Sequence, residues 1–253
     1  MGESEEVAAR VEREGFAVVS AVMGEREIAR ALSALERAER SPAPARRLRR
    51  GGNDGNSGVY AVRNLLDAVP ELRELIDATR APALAAQVLG APAFVVRSIL
   101  FDKTPEANWK VAWHQDFSIA VRARRDAEGF GAWSEKAGVM HVQPPAAILE
   151  RMLTVRLHLD AGDEANAPLR VIPGSHSRGR LDAAAIAHLR ETSTVVACLV
   201  PRGGALLMRP LLLHASSASR EPERRRRVVH LEFAAGELPA GLEWASGASG
   251  AER

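Results

Sequence analysis

The sequence predicts a mainly β protein with a helical layer packed on its β core, and three observations carry that expectation. Helical spacing of apolar residues is confined to the first ninety or so positions. After Gly90 the chain turns into short apolar runs divided by Gly, Pro, Asn and Asp. Within one of those runs, Thr154, Arg156 and His158 alternate with Val155, Leu157 and Leu159, the period of a strand with one polar and one apolar face. Strands at short, regular spacing read as a barrel or sandwich, and a polar strand face turned inward is how a small barrel builds a pocket. The expected organisation is one domain over 1–253, with a helical layer over about 1–90, a β core over about 91–235 and a short C-terminal tail. No internal repeat or interdomain linker interrupts it.

Taken in order, residues 5–14 have weak helical patterning and residues 15–19 (Gly-Phe-Ala-Val-Val) read as a short strand. Over 25–40, Ile28, Leu32 and Leu35 recur at helical spacing and predict an amphipathic helix. Residues 41–57, rich in Pro, Arg and Gly, read as a mobile loop. Helices are expected over about 71–79 and 82–89, announced by Pro70 and Pro82 and closed by Gly90. The expected strands are 93–101, 154–159, 169–172, 195–199, 205–209 and 226–233. The Gly-rich stretch 122–145 reads as a loop and, by position, as a candidate lid over a substrate; packing of its aromatics in the barrel explains them equally well.

Composition narrows the function classes. Of 253 residues, 46% are hydrophobic and 26% charged, ordinary globular values that allow a sizeable core. The single Cys198 excludes an internal disulfide and any Cys-based zinc cluster, and suits a reducing cytoplasm. The acidic opening Met1-Gly2-Glu3-Ser4-Glu5-Glu6 lacks the positive start of a secretory leader. No apolar run approaches the roughly 20 residues that a membrane helix needs. Nucleic acid is an unpromising partner: the net charge is +2 and aromatic content only 4%, where a single-strand binder wants a basic groove with stacking aromatics. A small molecule is the expected partner.

His114 and Asp116 are one residue apart, so on a strand both side chains face one way and reach one metal. His214 lies far downstream after Leu211-Leu212-Leu213, at the expected end of a strand opposite, and a run of arginines follows. Two imidazoles and one carboxylate with open positions are the facial set of non-haem Fe(II) oxygenases, and a nearby cation would serve an acidic co-substrate.

The surrounding motifs make this reading specific. Trp113-His114-Gln115-Asp116, the block Asn166-Ala167-Pro168-Leu169-Arg170-Val171-Ile172-Pro173-Gly174-Ser175-His176, and His214-Ala215-Ser216-Ser217 resemble the phytanoyl-CoA dioxygenase-like family of Fe(II)/2-oxoglutarate oxygenases. The likeness runs from about Gly15 to Phe233, and departs where Ala167 replaces the family's usual Gly. It implies a double-stranded β-helix, the cupin-like jelly-roll barrel. It also implies His114, Asp116 and His214 as iron ligands, with 2-oxoglutarate and O2 as co-substrates. The implied reaction hydroxylates a C–H bond of a small organic molecule and releases succinate and CO2. A carboxylate at 116, where related halogenases have a small residue, favours hydroxylation or another oxidation.

For the distal carboxylate of 2-oxoglutarate the resemblance implies an arginine ahead of the last strand. Counting on from His214 reaches Arg225; aligning the strand reaches Arg226, which is preferred because strand facing forgives less than loop length. Arg224 and Arg227 are then expected on a solvated edge. Ser216 and Lys103 match a hydroxyl and a lysine near the co-substrate in the family. His176 is expected to be structural, His158 and His230 to be core histidines or pocket lining. The competing reading is a non-catalytic β-barrel that kept the fold as a binding module.

Overall fold

The computed structural model describes residues 2–40, 48–50, 59–105 and 108–246, with backbone alone at 48–50, 59 and 60. Chain order is α1 (Glu3–Glu14), β1 (Phe16–Val19), α2 (Glu25–Arg40), β2 (Leu48–Arg50), β3 (Val59–Arg63), α3 (Leu65–Ala68), α4 (Glu71–Asp77) and α5 (Ala81–Leu89). There follow β4 (Ala93–Lys103), β5 (Val111–His114), β6 (Ile119–Val121), β7 (Gly131–Lys136), β8 (Val139–Gln143), α6 (Ala146–Leu149), β9 (Met152–His158) and β10 (Leu169–Val171). After a 3-10 turn come α7 (Ala183–Thr192), β11 (Val196–Cys198), β12 (Ala205–Met208), β13 (His214–Ser216) and β14 (Arg226–Ala235).

The strands form a seven-stranded sheet, β1-β12-β9-β14-β4-β3-β2, a four-stranded sheet, β11-β10-β13-β5, and a smaller one, β6-β8-β7. Strand alternation decides what each face of the large sheet meets. Leu153, Val155 and Leu157 of β9 and Val229, Leu231 and Phe233 of β14 join one core cluster with Val7 and Val11 of α1, Ile28 and Leu35 of α2, and Leu84 of α5. The helical layer therefore covers the outer face, and this apolar burial is its main stabilisation. The opposite face meets the four-stranded sheet: Phe16, Leu206 and Met208 pack on Leu169, Val171 and Cys198. Beyond that apolar end, the inner face carries Arg226, His230 and Glu232 of β14 beside Arg156 and His158 of β9, a polar interior.

One glycine is required by close approach. Gly15 ends α1 at φ 84°, and a Cβ there would stand 2.5 Å from His176 Nδ1. The His176 Nε2 reaches the Glu12 carbonyl at 3.1 Å, so this histidine ties α1 to the turn before α7, as a structural residue should.

Two expectations are corrected here. Residues 122–145 are not one continuous loop: they contain β7 and β8, which pair with each other, and β8 pairs with β6. Their aromatics pack, Phe130 and Trp133 against a cluster with Trp244 and Leu238. In the stretch read as a mobile loop, residues 48–50 are a strand paired to β3; residues 41–47 and 51–57 of that reading lie outside the described residues.

Candidate metal centre

His114 and His214 face each other directly across the antiparallel β5–β13 ladder, with ring centroids 4.2 Å apart. The two strands are thus neighbours, not opposite walls, and His214 begins its strand instead of following one. Asp116 lies past the end of β5, which stops at His114; its N–H donates to the Pro210 carbonyl at 2.9 Å. The chain bends there and still delivers the carboxylate: Oδ1 is 3.9 Å from His114 Nε2, and Oδ2 is 3.9 Å from His214 Nε2. One ligand atom from each residue falls within 4.8 Å of the others.

The imidazoles are oriented for a metal. Each Nδ1 is 2.8 Å from a backbone carbonyl, Ala112 for His114 and Leu212 for His214. A carbonyl only accepts, so Nδ1 carries the hydrogen and the Nε2 lone pair points to the shared space. Burial pushes His214 well below the usual histidine value, which keeps it a neutral donor. Desolvation would raise the Asp116 carboxyl, but His214, His230, His114 and Arg97 together hold it below the usual range. His214 is 5% exposed and His114 40%, so the trio opens on the His114 side.

Gln115, inside the motif, is a positioning residue that spacing alone does not reveal. Its Nε2 donates to the Gly179 and Leu211 carbonyls at 2.8 and 2.6 Å, and its Oε1 accepts from the Leu181 N–H at 2.8 Å. These bonds clamp His114 and Asp116 between the segments flanking α7 and His214.

A group of cations lies deeper. Lys103 of β4 and Arg226 of β14 are cross-strand partners. The Lys103 ammonium donates to Ser216 Oγ at 3.3 Å and to the Ser217 carbonyl, over the Trp109 ring at 5.4 Å. Arg226 donates to the Ala167 carbonyl, and its Nε is buried without a partner. Burial first, then Arg226 and Arg156, pushes the Lys103 ammonium down to about 7. Among the described residues no carboxylate pairs with either side chain.

Its neighbours point elsewhere. Arg225 binds the Asp102 carboxylate on the helical side, with Nη2 2.6 Å from Asp102 Oδ2 and 2.9 Å from Glu39 Oε1. Arg224 pairs with Asp163 and Glu221. Arg227 is no solvated edge residue: it is largely buried and bonded to both oxygens of Asp160.

Ala167 matters more than its place in a turn suggests. It stands at φ 52°, a conformation that a Cβ disfavours by roughly 1–2 kcal/mol and glycine tolerates, and its carbonyl holds Arg226. Ala167→Gly is expected to raise stability by about 0.5–1 kcal/mol, some of the relief being offset by unfolded-chain entropy. Thermal unfolding checks it: a rise of roughly 2 °C is expected for a chain this long, and a melting point at or below wild type would contradict the strain.

The profile of the phytanoyl-CoA dioxygenase (PhyH) family matches residues 11–228, a span that contains His114, Asp116, His214, Gln115, Lys103, Ser216 and Arg226. The chain belongs to this family. Among curated relatives, an ectoine dioxygenase of Bordetella parapertussis is 28% identical over 165 residues, 65% of this chain and 47% of the relative. The chain thus spans about half the length of the curated relatives it matches. Two solved structures resemble this family member closely in fold. The non-heme alpha ketoglutarate dependent carbocyclase SnoK from nogalamycin biosynthesis has a TM-score of 0.70 at 19% identity, over 94% of this chain and 85% of SnoK. EctD from S. alaskensis with 2-oxoglutarate and 5-hydroxyectoine has a TM-score of 0.70 at 22% identity, over 93% and 78% of the two chains. The family fold is the expected double-stranded β-helix with flanking helices. Among the described residues, no helix is long and apolar enough to cross a membrane.

Proposed function

We propose that this chain is an Fe(II)/2-oxoglutarate-dependent dioxygenase that hydroxylates a C–H bond of a small organic molecule in the cytoplasm, with release of succinate and CO2. It acts as one oxygenase domain, with neither nucleic acid nor membrane as its partner. The carrying observation is the convergence of two oriented Nε2 atoms and one carboxylate beside Lys103 and Arg226, which pair with no carboxylate among the described residues. That donor set fits Fe(II), and His114, Asp116 and His214 are assigned as its ligands. When bound, the iron would supply the oxygen chemistry.

The protein's own groups do the rest. Gln115 and the two Nδ1–H bonds fix the ligands on one side and leave the other open. Arg226, Ser216 and Lys103 bind the distal carboxylate of 2-oxoglutarate, the guanidinium by a charge-assisted fork.

An anaerobic absorption titration tests the assignment. Fe(II) followed by 2-oxoglutarate is expected to give a visible charge-transfer band. No band and no Fe(II) binding by calorimetry would return the protein to a non-catalytic binding module.

Lys103 gives the affinity a pH dependence. Its proton is held to about 10.5 in the unfolded chain and to about 7 in the fold. Between those values the unfolded chain binds more protons, so this group's penalty, complete below pH 7, is relieved as pH rises to 10.5. A bound carboxylate favours the ammonium, so 2-oxoglutarate affinity falls above pH 7, by roughly tenfold from pH 6.5 to 8.5. Calorimetry in two buffers of different ionisation enthalpy should show proton uptake at pH 8 that Lys103→Met abolishes; an affinity flat across this range would contradict it.

A further inference from the structure

Arg156 is a buried cation that the assignments above leave unused. It lies on the inner face of β9, opposite His230 of β14, and is 7% exposed. Its Nη1 is 3.0 Å from His230 Nδ1. A guanidinium only donates, so Nδ1 accepts and the hydrogen sits on Nε2, which meets Glu232 Oε1 at 3.3 Å. Glu232 also accepts from Arg97 at 2.7 Å. This chain of bonds from β4 through β14 to β9 holds Arg156 in place while neutralising only Arg97.

Arg156 itself has no carboxylate within ion-pair distance among the described residues, and its Nε is buried with no partner. A charge so placed is strongly unfavourable unless something neutralises it. Its guanidinium lies 5.4 Å over the Phe101 ring. Phe101 is two residues from Lys103 on the same strand face, a spacing of roughly 7 Å. The His230 partner of Arg156 lies four residues along β14 from Arg226, the partner of Lys103, and the Arg156 charge is felt by Lys103, Arg226 and His214 alike. Arg156 therefore shares one polar interior with the metal trio and the Lys103–Arg226 pair.

We infer that Arg156 is a second arginine for the 2-oxo acid, binding the carboxylate at the metal end while Arg226 binds the distal one. This rests on the dioxygenase reading above. The interior then holds one arginine for each carboxylate of a dicarboxylic co-substrate.

Calorimetric titration of the Fe(II)-loaded protein without oxygen separates the two arginines, using 2-oxoglutarate and 2-oxopentanoate, which lacks the distal carboxylate. Arg156→Gln is expected to weaken both acids by the same factor, about tenfold to a hundredfold. Arg226→Gln should weaken 2-oxoglutarate and leave 2-oxopentanoate unchanged. Arg156→Met guards against a folding artefact: with the uncompensated charge gone, the acid-free protein should melt no lower than wild type. Wild-type affinity for both acids in Arg156→Gln, or a lower melting point in Arg156→Met with acid binding intact, would make Arg156 structural and overturn the inference. A loss confined to 2-oxoglutarate would move Arg156 to the distal end and overturn it too. Wild type that binds Fe(II) but neither acid would instead bring down the dioxygenase reading and this inference with it.

Discussion

Asp116→Ala is expected to weaken Fe(II) binding at least ~100-fold and to abolish 2-oxoglutarate turnover, because loss of groups merely supporting a ligand already costs 10–100-fold. The carboxylate is the one anion of the trio, and Arg97, Arg156 and Lys103 surround the same interior. Without it, a dication would be held by two neutral imidazoles in a field of like charge. Asp116→Glu separates charge from geometry. Its N–H bond to Pro210 fixes the backbone, so the longer side chain carries the charge past the point 3.9 Å from each Nε2. Glu should keep part of the Fe(II) affinity and lose most turnover. Calorimetry for the metal and succinate release for turnover check both variants. Wild-type Fe(II) affinity in Asp116→Ala would remove Asp116 from the ligand set.

The β core was legible because its strands bury opposite faces in different surroundings. The alternation in 154–159 is the alternation between the helical-side core and the polar interior. The His-x-Asp spacing was legible as chemistry and less so as geometry: β5 ends at His114, and a bend anchored on Pro210, nearly a hundred residues away in sequence, delivers Asp116. Non-local partners explain the other misses. Arg227 reads as a surface charge until Asp160 is brought beside it, and Arg156 reads as ordinary alternation until the fold buries it with no carboxylate beside it among the described residues. The hairpin of β7 and β8 was hidden by its turns, where Ala137 and Gly138 both take positive φ, and by its sparse apolar residues. Gln115 gave no signal because all three of its partners are backbone groups, which carry no side-chain identity to read.

The choice between Arg225 and Arg226, open to counting along the chain, yields the second large effect. Arg226→Gln should weaken 2-oxoglutarate about 100-fold, the scale of a charge-assisted fork and a lost counter-ion. It should cost little stability, since it removes a buried charge that has no carboxylate partner among the described residues. Arg225→Gln should do the reverse. Asp102 is 3% exposed and depends on Arg225, so the variant leaves a carboxylate unpaired in the helical-side core. Arg225 is itself 39% exposed, and solvent screening reduces the full buried-pair penalty to about 2 kcal/mol. Chemical denaturation should record that loss while 2-oxoglutarate affinity stays within about twofold of wild type, the reading expected for a group more than one strand face from the ligand. One arginine changes binding and the other changes folding because Arg225, just ahead of β14, turns to Asp102 while Arg226, the first residue of β14, lies across from Lys103. If Arg225→Gln lost affinity and Arg226→Gln kept it, the distal carboxylate would have to be bound outside the barrel interior.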